Sequence, residues 1–137
     1  MKHRESGFTL PETLIATALL VSGLAGVAWV FTKSIGVNMD NRHRAVGAVL
    51  AAGKLEEFEG MAWSDPRWSA GGGLDPTAPI EGYSDTVIQI GETYLRLWEI
   101  TGVPSRTVRV SVYVRPNGGA RIPPELIRAS TVASPGF

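Results

Sequence analysis

The stretch GFTLPETLIATALLVSGLAGVAWVF, residues 7–31, decides how the chain is built. It is apolar almost throughout, yet it carries a carboxylate, Glu12, close to its start. A charge inside a hydrocarbon-bound helix costs free energy, and a plain anchor has no use for one. Residues 13–32 contain no charged side chain, and a run of that length matches the ~20 residues with which an α-helix crosses a bilayer. Ahead of it stands the short, basic MKHRESG; behind it come Lys33 and a mixed, polar sequence. Lys2 and Arg4 favour a cytoplasmic N-terminus, while Lys33 and Arg42 beyond the span pull the other way. The expected orientation leaves the C-terminal part outside the cytoplasm.

The helical pattern continues past the apolar run. Ala45, Val49, Ala52, Leu55 and Phe58 recur at spacings of three and four, the stripe of an amphipathic helix. Arg42, Arg44, Lys54, Glu56, Glu57 and Glu59 mostly avoid that stripe. No proline falls within residues 12–65. The pattern predicts one continuous helix from about Phe8 to Glu59, with an apolar half over 8–32 and an amphipathic half over 33–59. Gly60 is its expected stop.

Residues 60–82, GMAWSDPRWSAGGGLDPTAPIEG, are dense in Gly and Pro and read as a connecting loop. Its Trp63 and Trp68 are expected to pin it to the domain. Strands follow over 83–90 and 93–101. The clearest is TVRVSVYVR, residues 107–115: Val108, Val110, Val112 and Val114 point one way and the intervening residues the other, as in a sheet with one buried face. GVPSR (102–106) is expected as a hairpin loop, and Asn117-Gly118 as a tight turn into a last strand within 120–132. The valine face and the helix stripe each need an apolar partner. Packing one on the other predicts an α+β fold, a long N-terminal helix on a small antiparallel sheet formed within residues 83–137.

Composition adds exclusions. The 137 residues include 13 Lys and Arg against 13 Asp and Glu, so net charge is zero and no long-range field invites nucleic acid. Cysteine is absent, so the domain must hold by packing and pairing alone. The small basic cluster Arg42-His43-Arg44 reads as solvated helix surface, and His3 and His43 form no zinc set. Gly71-Gly72-Gly73 lacks the Lys-Ser/Thr of a phosphate-binding loop and reads as flexible. Asp65, Asp75, Glu81 and Asp85 lack calcium-loop spacing. No enzyme, metal, cofactor or small-molecule substrate is expected.

Lys2, His3 and Arg4, then Gly7, then Phe8-Thr9-Leu10-Pro11-Glu12, then an uncharged apolar run, resemble the processing signature of type IV pilins and type II secretion pseudopilins. The resemblance implies a leader over residues 1–7, cut by a prepilin peptidase between Gly7 and Phe8, and N-methylation of Phe8. It implies a pilin-like fold, with residues 8–32 serving first as a membrane span and then as filament core. Glu12 would set the register of each incoming subunit by pairing with the Phe8 amine, in a neighbouring chain or in its own. Buried, the two charges are tolerable only when paired. Tyr94–Ile100 and Val108–Val114 are similar to strands of minor pilins of the PilV kind and of I-type minor pseudopilins. The implied role is that of a minor structural subunit of a pilus or secretion pseudopilus, taking part in filament assembly or priming. Its implied partners are prepilin peptidase, other pilin or pseudopilin subunits and the cytoplasmic membrane.

The competing reading is an exported or membrane-anchored binding module. Its apolar segment would be a conventional signal, cut near Gly26-Val27-Ala28, or an uncut anchor in which Glu12 sits idle at headgroup level.

Overall fold

The computed structural model describes residues 8–102, 105–115 and 125–134. Among them the chain forms one α-helix, a single 3-10 turn and five strands. The helix α1 runs Leu10–Glu59, and the strands are β1 (Gly71–Gly72), β2 (Ser84–Gln89), β3 (Glu92–Thr101), β4 (Arg106–Arg115) and β5 (Glu125–Ala133). Two compact units divide the chain, one up to Asp40 and one from Asn41 onward. The expected turn at Asn117-Gly118, the leader 1–7 and part of the GVPSR loop lie outside the described residues.

In the first unit, α1 begins two residues later than the apolar pattern suggests. Thr9 is its N-cap: its carbonyl accepts the first intrahelical bond, from Thr13 N at 3.2 Å. Pro11, in the first turn, withholds an amide that would have no internal acceptor there. Farther along, the hydroxyls of Thr13, Thr17, Ser22 and Thr32 each donate to a carbonyl about one turn earlier, at 2.8 to 3.0 Å. Their polar groups are therefore satisfied without water.

The second unit is the helix-on-sheet arrangement. Its strands are all antiparallel, in the order β1-β3-β4-β5, with β2 also paired to β3. Val108, Val110 and Val112 on β4 and Tyr94, Trp98 and Ile100 on β3 face the helix and close a core with Leu50, Ala51, Phe58 and Trp68. Contacts advance together, His43 with Tyr94, Leu50 with Arg96 and Lys54 with Trp98, so this part of α1 runs parallel to β3.

The helix face differs from the expected stripe. Ala45, Val49 and Ala52 are exposed, and the buried positions are Gly47, Leu50, Ala51, Lys54 and Phe58. Hydropathy misses this face because it contains a glycine and a lysine. Gly47 is required by close approach: a Cβ there would meet Leu126 Cβ at 3.2 Å. The register shift between Val112 and Tyr113 leaves Leu126 as an extra residue on β5, and that bulge delivers it beneath Gly47.

The opposite face of the sheet is not simply solvated either. Leu95, Leu97 and Tyr113 form a second small core there, with Leu74 packed against it. Tyr113 Oη donates to the Leu74 carbonyl at 2.7 Å, holding the loop down. Trp68 is buried as expected, its ring 5.3 Å from both Phe58 and Trp63. The triple glycine is not a free loop: Gly71 and Gly72 pair with Ile100 and Glu99 of β3. Gly72 has φ 88°, and a Cβ there would run into the Trp98 carbonyl and the Tyr83 ring.

Candidate assembly site

Beyond its cap, the first unit exposes apolar surface in every direction. Leu14, Ile15, Leu19, Leu20, Leu24 and Phe31 are all more than half exposed. A helix apolar all round needs lipid or other helices about it. It is long and apolar enough to cross a membrane once. Near the end of the apolar run, Lys33 Nζ lies 6.0 Å from the Trp29 ring centre, a pairing suited to a membrane–water boundary.

Of the residues singled out for processing and registry, Gly7 lies outside the described residues. Phe8 is 84% exposed, just ahead of the helix. Glu12 turns back on its own chain: Oε2 accepts from Thr9 N and from Thr9 Oγ1, both at 3.0 Å. This is the reach-back half of a capping box, in which the side chain at the third helical position satisfies the N-cap amide. The Thr-x-x-Glu spacing that signals it is present in Thr9-Leu10-Pro11-Glu12, and it is the part of the site that apolar periodicity passes over. Within the chain, then, the Glu12 carboxylate has hydrogen-bond donors of its own.

In the second unit, the chemistry gathers at the helix–sheet seam. Lys54 is buried, with Nζ 2.9 Å from Glu57 Oε2, 3.7 Å from Asp85 Oδ2 and 4.0 Å from the Trp98 ring centre. Arg96 grips Asp85 through two bonds, at 2.7 and 2.6 Å, and reaches the Leu50 carbonyl at 3.4 Å. The sequence pattern sets Lys54 among the charges that mostly avoid the apolar stripe; the aromatic wall and the carboxylates make its burial tolerable. These contacts fasten the helix to the sheet.

His43 is a second correction. It is half-buried and its Nδ1 lies 3.0 Å from Tyr94 Oη, so it belongs to the seam and not to free helix surface. The loop acids are dispersed: Asp65 holds Arg67, Asp75 caps Thr77 and Asp85 holds Arg96. Among the described residues no group of three or more His, Cys, Asp or Glu is placed to hold a metal ion. Compared with protein-family models, with curated proteins and with solved structures, the chain matches none of them.

Proposed function

We propose that the chain is a structural minor subunit of a type IV pilus or type II secretion pseudopilus, made as a prepilin and cut between Gly7 and Phe8. The observation that carries this reading is the combination within α1. A capped carboxylate, Glu12, heads an apolar helix exposed on all sides, and the same element ends in a face fitted to a β-sheet. A lone anchor leaves the apolar helix to lipid and uses the acid at its head only as a cap. A bundle of like helices uses both, since it covers the apolar surface and gives the buried carboxylate a fixed partner. In this account the chain waits in the cytoplasmic membrane with its sheet domain outside the cytoplasm. On assembly, residues 8–32 exchange lipid for neighbouring helices, and the Phe8 amine created by cleavage supplies the positive partner of Glu12. That partner can come from the same chain or the next.

The test is incorporation. In cells carrying a pilus or pseudopilus machinery, the chain should fractionate with sheared filaments and revert to the membrane fraction when Gly7→Leu blocks processing. A wild-type chain that stays wholly in the membrane fraction contradicts the proposal.

A further inference from the structure

Just past the apolar run, α1 carries a glycine. A glycine inside a helix costs about 1 kcal/mol relative to alanine, and packing within the chain does not call for Gly36: a Cβ there would meet nothing within 4 Å. What it does is open a notch of about 460 Å³ on the helix surface, lined by Trp29, Thr32, Lys33, Gly36, Val37 and Asp40. All six belong to the first unit. Gly23 and Gly26 are equally open and line a second groove of the same volume, but no charged residue borders that one. A residue that breaks its local rule without a gain in packing points to a role outside the fold.

The notch holds one charge of each sign, so its net charge is zero. Lys33 is the first charged residue after the uncharged run 13–32, and its Nζ lies 6.0 Å from the centre of the Trp29 ring, itself 65% exposed. Asp40 borders the other end, ~10 Å farther along the axis. It already interacts within the chain, but a carboxylate offers about four acceptor positions and can serve a ligand as well. Thr32 donates its hydroxyl to the Ala28 carbonyl at 3.0 Å, which leaves Lys33 as the donor. With residues 13–32 in hydrocarbon, the headgroup layer extends ~5–7 Å beyond them. Gly36 lies ~4.5 Å past Lys33, so the notch opens at headgroup depth.

We propose that this notch seats the headgroup of one phosphatidylethanolamine, with its phosphate on Lys33 Nζ and its ammonium on the Asp40 carboxylate. Opposite charges at the two ends match a zwitterionic headgroup, and Asp40 repels one that is only anionic. A primary ammonium brings N–H donors to the carboxylate in charge-assisted bonds, which a choline group cannot do. Trp29 walls the side from which the acyl chains arrive. The proposal rests on reading residues 13–32 as a membrane span, and is independent of filament assembly.

The full chain would be released from nanodiscs holding equal parts of phosphatidylethanolamine, phosphatidylcholine and phosphatidylglycerol, and its bound lipid identified by native mass spectrometry. The expected result is one phosphatidylethanolamine per chain, retained several-fold over either competitor. Gly36→Leu fills the notch and should abolish that preference, whereas Gly26→Leu in the uncharged groove should leave it intact. Asp40→Asn should turn the preference toward phosphatidylglycerol. Equal retention of the three lipids overturns the site and leaves Lys33 and Trp29 as plain boundary residues. A preference that survives Gly36→Leu overturns the notch as its seat. Paired chains in place of bound lipid, lost on Gly36→Leu, give the notch to a second helix and overturn the lipid. Failure of the chain to enter the discs overturns the membrane span, and the site with it.

Discussion

Lys54 Nζ lies 4.0 Å from the centre of the Trp98 ring, in a side chain only 8% exposed. The stem of this lysine fills the space between α1 and β3, and its charge is shared between the ring, Glu57 and Asp85. Lys54→Ala removes both stem and charge and should destabilise the second unit by about 2–3 kcal/mol. Lys54→Met keeps the stem. Asp85 keeps Arg96 and Glu57 keeps Arg67, so no carboxylate is stranded and the loss should be about 1 kcal/mol or less. Urea midpoints from tryptophan fluorescence of the full chain in detergent measure both. Equal losses for Ala and Met would mean that the charge, not the packing, holds the seam.

The turn at Ile90 gives a stabilising prediction. Ile90→Asn places a residue that accepts φ 55° where a β-branched one is strained, and should raise stability by about 1 kcal/mol. An unchanged or lowered urea midpoint would show that the turn carries no strain.

The fold was largely legible where side chains announce their face. Val108, Val110 and Val112 alternate as a strand with a buried side must, and all three are fully buried against the helix. It was least legible where the deciding group is backbone or charge. Gly47, Gly71 and Gly72 contribute by having no side chain, so their pairing and close approach leave no hydropathy signal. Lys54 reads as solvent-facing until Trp98, which is far from it in sequence, is seen beside it. The second core on the far face depends on Leu74 in a segment without periodicity. At the candidate site, the Thr9–Glu12 cap was present as a spacing but hidden beneath the stronger apolar pattern.

Acid should loosen the loop through Asp65. Bonds from the Arg67 side chain, then its backbone amide, hold this carboxyl below its ordinary value of 3.8. A depressed folded value means that the ionised form stabilises the native state. That contribution is complete above the unfolded value and is lost as pH falls through the folded one. Stability from this source should be flat from neutral pH down to about 4 and fall below it. Asp65→Asn should flatten that acid limb in urea midpoints measured against pH. An acid limb identical to wild type would show that Asp65 is not linked to folding.

Glu12 has two separable duties, capping and charge. Glutamine keeps the reach-back bond to Thr9 N but carries no charge, whereas valine loses both. If charge pairing sets subunit register, Glu12→Gln and Glu12→Val should both be cleaved normally and both fail to enter filaments. Normal incorporation of Glu12→Gln with failure of Glu12→Val would assign the residue to the cap alone.

The central claim is that this chain is a prepilin, and its mature N-terminus tests that most directly. Intact mass and the N-terminal peptide would be measured on protein from cells expressing its own processing machinery. The account predicts a chain that begins at N-methylated Phe8. A chain that begins at Met1, or one cut near Trp29, would contradict it and leave Glu12 as the cap of an ordinary anchor or signal.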